Sequence, residues 1–152
     1  MSAQKFKLPL SVLVVVHTAE REVLLLERAA RPGYWQSVTG SLEQPDEPLE
    51  RAAAREVREE TGIDVAQGKL ARWNVANTFE IYTQWRQRFA AGVTHNTEHV
   101  FGLRLAARLP VTLSEAEHTA FAWLPWREAA EKCFSWSNRD AIRMLGERAV
   151  IT

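Results

Sequence analysis

Between Pro48 and Gly62 the sequence carries a helix with both ends marked, and no other segment restricts the fold as tightly. Pro48 suits a first helical turn, where its missing N–H costs nothing, and Asp46 or Glu47 is expected to cap it. Leu49, Ala52, Ala53, Ala54 and Val57 recur at helical spacing and give the segment an apolar stripe. Gly62 stands where a residue in the left-handed conformation ends a helix. The predicted helix runs from Pro48 to Thr61.

Around it the chain reads mainly as strands. Ser11 to Val16 is short, β-branched and apolar, which predicts a buried strand. Val23 to Leu26 is expected beside it across a Glu20-Arg21-Glu22 turn, and Trp35 to Val38 follows the Arg31-Pro32-Gly33 break. Leu70 to Val75, Phe79 to Phe89, His99 to Ala106 and Ala120 to Leu124 are further predicted strands. Trp126 to Lys132 reads as a short helix. Ser137 or Asn138 is expected to cap a last helix reaching about Arg148. Strands with helices at separate places predict an α/β fold, a mixed sheet covered by helices on its faces. No repeat or linker divides the 152 residues, so residues 1–152 are expected to form one domain.

On the helix, residues three and four apart are neighbours, so Glu56, Glu59 and Glu60 project together. Three like charges on one face repel each other unless something neutralises them. Hard divalent cations take oxygen ligands, and Mg2+ commonly combines a few carboxylates with water and substrate phosphates. Arg55 can orient one of the carboxylates through a bidentate pair. The plainer reading is a solvated helix face laced with ion pairs such as Arg55 to Glu59. In both readings Glu60 is expected at a solvent-facing position.

Composition removes several classes of function. Formal net charge is zero, so no overall field draws in nucleic acid or an anionic membrane. The most apolar stretch is too short to span a bilayer, and the N-terminus has no signal-peptide pattern. One cysteine, Cys133, cannot form an internal disulfide; a small core residue in a reducing, cytoplasmic setting is expected. His95 and His99 with Glu98 hint at zinc, but on a strand Glu98 would point away from both histidines. Trp85, Arg86, Arg88 and Phe89 mix rings and cations as single-strand binders do, yet one short patch on a neutral chain fits a pocket wall better.

From Glu47 onward the spacing is Glu47, seven residues, Arg55-Glu56-Val57, Arg58, Glu59-Glu60, Thr61, Gly62-Ile63, with six residues separating Gly40 from Glu47. This resembles the Nudix box, with one residue more than usual between its first glycine and first glutamate. The resemblance implies a Nudix-like α/β/α sandwich and cleavage of a phosphoanhydride bond with Mg2+, or Mn2+ in its place. The flanks, Trp35 to Gly40, Arg88 to Thr94 with Asn96-Thr97-Glu98, Ser135 to Arg139, Lys7 with Pro9 and Ser11, and Glu117-His118, resemble a narrower branch of the family. That branch is bacterial and removes pyrophosphate from dihydroneopterin triphosphate in folate synthesis.

By that resemblance Glu56, Glu60 and Glu117 are the expected metal ligands. Glu59 is a further ligand or a base acting through water, and Glu60 and Arg55 complete the catalytic set. Lys7, Arg28, Thr39, Phe79, Glu80, Ile81, Tyr82 and Ser135 are the expected substrate contacts. The partner implied is a small triphosphate, pterin or nucleoside, with no nucleic acid or membrane involved. Two rivals stay open: a nucleoside triphosphate pyrophosphatase of the nucleotide pool, and a Nudix-fold module that senses a nucleotide without cleaving it.

Overall fold

The computed structural model describes residues 5–148. In chain order the elements are β1 (Leu10–Thr18), β2 (Glu22–Arg28), β3 (Trp35–Gln36), β4 (Val38–Ser41), α1 (Leu49–Thr61), β5 (Lys69–Glu80), β6 (His95–Leu105), β7 (His118–Pro125), α2 (Trp126–Lys132) and α3 (Trp136–Arg148). The apolar run in β1 has two destinations, because successive side chains of a strand point to opposite faces. Val12, Val14 and Val16 join Leu24, Leu26, Phe101 and Leu103 under Ala52, Ala53 and Val57 of α1. Leu13 and Val15 join Val23, Leu25 and Val100 under Ala129, Ala130, Ala141, Ile142 and Leu145 of α2 and α3. Helices on both faces explain why β1 has no polar alternation. The result is the expected mixed sheet in an α/β/α arrangement.

The seven strands run β3-β2-β1-β6-β5, with β4 beside β1 and β7 beside β2. β1 and β6 are parallel, whereas the other pairs are antiparallel. β1 and β2 pair only at His17 and Val23. Beyond that point they diverge, and β3 and β4 fill the fork by pairing with β2 and β1 respectively. Thr39, Gly40 and Ser41 of β4 therefore lie beside β1, opposite Leu13, Val12 and Ser11, and the chain leads from there to the start of α1.

Three local expectations are corrected. Pro48 takes the cap position of α1 without a side-chain hydrogen bond; Glu47 is engaged by Arg55 instead. The last helix begins at Trp136, and the Ser135 hydroxyl accepts from the Asn138 amide at 3.3 Å, so Ser135 rather than Ser137 or Asn138 occupies its cap. The strand expected over Phe79 to Phe89 ends at Glu80, and Thr83–Arg88 forms a 3-10 turn. The Arg86 guanidinium there binds the Ile81 carbonyl at 3.1 Å and the Glu80 carboxylate. Gly62 ends α1 as expected, at φ 75, with its N–H donating to the Arg58 carbonyl at 2.9 Å.

Candidate metal centre and substrate cleft

Arg55 organises the carboxylates of α1. Its Nε and Nη2 donate to Glu47 Oε2 and Oε1 at 3.2 and 3.1 Å, a bidentate pair, and Nη1 donates to Glu56 Oε1 at 2.8 Å. Nη2 also reaches the Ser41 carbonyl at 3.2 Å, tying the helix to the loop before it. The Glu47 carboxylate accepts from the Glu43 amide as well, and Arg55 holds its pKa below the usual carboxylate value. The extra loop residue therefore leaves Glu47 in register. Gly40 matters for space: a Cβ there would overlap the Glu56 carboxylate.

Glu60 is not solvent-facing, contrary to the sequence expectation. It is 1% exposed, and neither carboxylate oxygen has a hydrogen-bond donor. The nearby Thr39 amide pulls its pKa down and His118 Nε2 stands 3.6 Å off, but its carboxylate neighbours are themselves acceptors, so the group suits a proton or a cation. Burial, followed by the adjacent Glu56 and then Glu117, raises its pKa well above the ordinary value. Burial also raises Glu56, against the lowering pull of Glu60 and Arg55. A buried carboxylate pair is costly when both are ionised. The plain ion-pair account of this helix face covers Glu59, which stands 3.6 Å from Arg55, but it does not cover Glu60.

The third acid comes from the far end of the chain. A register shift between β2 and β7 at Glu27 and Arg28 places His118 opposite Arg28, and the Glu117 carbonyl accepts from the Ala29 amide at 2.8 Å. Ligand atoms of Glu60, Glu117 and His118 then lie within 4.8 Å of one another. His118 Nε2 is 3.6 Å from Glu60 Oε1, and burial lowers its pKa, favouring the neutral ring. Oxygen donors with a neutral imidazole, around a buried carboxylate lacking a donor, suit a divalent cation. Sequence reasoning had paired His118 with Glu117 without giving it a role.

These groups open on a cleft of about 810 Å³. It brings together Glu56, Glu59, Glu60 and Glu117 with Lys7, Arg28, Thr39, Phe79, Glu80, Ile81, Tyr82 and Ser135. Of the residues singled out from sequence, Arg55 stands behind the wall, reaching the cleft through Glu56. Lys7 keeps solvent access, yet partial enclosure, ahead of Arg88 and Arg28, lowers its pKa. Arg28 lies 4.6 Å over the Trp85 ring, its Nη1 reaches Gln36 at 3.4 Å, and its buried Nε has no acceptor. Lys7, Arg28 and Arg88, which have no carboxylate in ion-pair range among the described residues, make a seat for anionic oxygens. Glu80, by contrast, is engaged by Arg86.

Several cleft residues had no assigned role in the sequence. Arg88 follows from the 3-10 turn, and its carbonyl accepts from the Lys7 amide at 2.8 Å. Tyr82, Trp85 and Phe134 pack as a ring cluster, with Trp85 5.1 Å from Tyr82 and 6.0 Å from Phe134. Phe79 meets Trp136 edge-on at 6.2 Å. Glu98 lines the same cleft on the buried side of β6, while His95 and His99 lie on the other side. The mixed ring and cation patch is thus a pocket wall. Cys133 is buried, with its thiol pushed up to about 12, and is inert core.

Comparison with known proteins agrees with this geometry. The chain is 43% identical to the dihydroneopterin triphosphate diphosphatase of Escherichia coli K12, over 95% of this chain and 97% of that protein. It is 37% identical to the Haemophilus influenzae protein of that name, over 88% and 84%. The solved Escherichia coli dihydroneopterin triphosphate pyrophosphohydrolase superposes with a TM-score of 0.85 at 42% identity, covering 91% of this chain and 95% of that one. The NUDIX domain model matches residues 7–145, and the chain belongs to that family of hydrolases.

Proposed function

We propose that this protein converts dihydroneopterin triphosphate to its monophosphate and pyrophosphate with Mg2+, for which Mn2+ can substitute. The observation that carries the reading is the buried Glu60 carboxylate without a donor, facing Lys7, Arg28 and Arg88 across one cleft. The relatives' names supply the pterin. Intact carboxylates favour hydrolysis over a purely sensing module.

In this reading Glu56, Glu60 and Glu117 hold the cation, with the His118 ring beside them. When bound, the ion offsets phosphate charge and acidifies the attacking water. Arg55 keeps Glu56 in place and Glu47 oriented. Lys7, Arg28 and Thr39 hold the triphosphate, with Arg88 adding a third cation. The water oxygen forms a new bond to phosphorus, a bridging P–O bond breaks, and pyrophosphate leaves with the electron pair. Glu59, exposed at the cleft edge, takes the water proton. Phe79, Ile81, Tyr82 and Ser135 enclose the heterocycle, and Glu80 fixes the turn that carries Tyr82 through its pair with Arg86.

The deciding assay compares dihydroneopterin triphosphate with nucleoside triphosphates and dinucleoside polyphosphates, with and without Mg2+. Pyrophosphate and orthophosphate are measured separately. One pyrophosphate per monophosphate, dependence on Mg2+, and the highest kcat/KM for the pterin are expected. Orthophosphate as the main product, or a nucleotide as the best substrate, would overturn the assignment.

A further inference from the structure

We infer that Glu98 selects the heterocycle, its carboxylate accepting the paired N–H donors of a 2-amino-4-oxo ring edge, the edge that pterins and guanine share. This rests on the reading above, which puts a triphosphate ester in the cleft.

Glu98 is 5% exposed and lines the cleft from β6. The Ser137 hydroxyl interacts with its carboxylate, but Oε1 has no donor. Burial, opposed by the Ser137 hydroxyl, pushes its pKa up to about 7. Two residues earlier on the same strand face, Asn96 Nδ2 donates to Ser11 Oγ at 2.7 Å. Asn96 also lines the cleft, and its buried Oδ1 too lacks a donor among the described residues.

Two buried acceptors without donors, near one another on one strand face, are open to hydrogen-bond donors from outside the chain. The rings of Phe79, Tyr82 and Trp136 in the same cleft favour a flat ligand. Among flat heterocycles, the donor pattern discriminates. A 2-amino-4-oxo ring presents its exocyclic amine and ring N–H side by side, matching the two oxygens of a carboxylate. Adenine offers an amine beside a bare ring nitrogen, and uracil offers one N–H between two carbonyls, so each sets an acceptor against Glu98. Ser135 adds a donor: its oxygen already accepts from the Asn138 backbone and side chain, which leaves its hydroxyl proton for a ring acceptor.

Glu98→Gln keeps the volume and replaces one acceptor oxygen by a donor amide. Steady-state kcat/KM would be measured with Mg2+ on dihydroneopterin triphosphate, GTP and ATP. A loss of about 100-fold on the first two and under about threefold on ATP is expected. Equal losses on all three, or no loss on the pterin and GTP, would overturn the inference. Wild-type protein gives an independent arm that needs no variant to fold. Neopterin should inhibit at least about tenfold more tightly than its 2-oxo counterpart, which lacks the amine; equal inhibition contradicts the proposal. If wild type prefers GTP to the pterin triphosphate, the substrate reading falls, whereas a selective loss on GTP in the variant still upholds the role of Glu98.

Discussion

The α1 wall of the cleft and its ring-lined wall are built in different ways. On the α1 wall, Glu47, Arg55, Glu56, Glu59 and Glu60 come from one stretch of chain, and the helical period with the Arg55 pairs sets their geometry. The opposite wall collects Phe79 and Tyr82 from around the end of β5, Trp85 and Arg88 from the 3-10 turn, Glu98 from β6, and Ser135 and Trp136 from the cap and first residue of α3. The spacing of the α1 carboxylates is thus encoded locally, whereas Glu117, Lys7, Arg28 and Arg88 reach the cleft from elsewhere in the chain. Selection of the heterocycle depends on how distant segments pack.

If this division is right, damage to the two walls has different signatures. The largest effect is expected from Glu60→Gln: turnover should fall about 100- to 1,000-fold, while the metal-free protein melts no lower, because a buried charge without a donor is removed. Steady-state kinetics and calorimetry on the same preparation check both halves. Next, Arg55→Lys retains the charge but loses the bidentate fit to Glu47. Divalent affinity, followed by titration calorimetry, should drop about 10- to 100-fold, with KM for saturating-metal assays changing little. Gly40→Ala should weaken metal binding about tenfold by pushing Glu56 off its Arg55 contact, without unfolding the chain. On the ring wall, Trp85→Ala removes the face under Arg28, so KM should rise about tenfold with kcat nearly unchanged.

A separate signal, in stability rather than in activity, is a pH dependence. Folding raises the Glu98 pKa to about 7 from an ordinary 4.5, so the folded state binds more protons between those values. Its neutral form costs nothing below pH 4.5, and the penalty for keeping it buried is fully present above pH 7. Relative to wild type, Glu98→Gln should therefore gain stability as pH rises through that window, by up to about 3 kcal/mol. His17, lowered to about 4 from 6.5, works in the opposite direction: the unfolded chain binds more protons, so stability is lost as pH falls from 6.5 toward 4. Both slopes can be read from urea denaturation at a series of pH values.

The same division explains what was legible in the sequence. The helix, its Gly62 stop and the carboxylate spacing were readable because period and capping act within a few residues. The apolar run of β1 was readable as a buried strand. The burial of Glu60 was not, since it depends on β4 and on Glu117 from the β7 turn, both remote from α1 in the chain. The end of β5 was also missed: Phe79 to Phe89 is rich in strand-forming rings, but Arg86 binding the Ile81 carbonyl favours a turn over continued pairing. Glu98 attracted notice as part of a flanking motif and beside two histidines, which the strand places on the other side, but neither gave it a role.

The central claim is that the unsatisfied Glu60 carboxylate is a cation seat. Thermal melting with and without millimolar Mg2+ or Mn2+, on wild type and Glu60→Gln in parallel, tests it without substrate. A ligand that binds only the folded state raises its stability, so the melting temperature of wild type should rise with the ion and that of the variant should stay nearly fixed. Equal shifts in the two proteins, or none in wild type, would contradict the account.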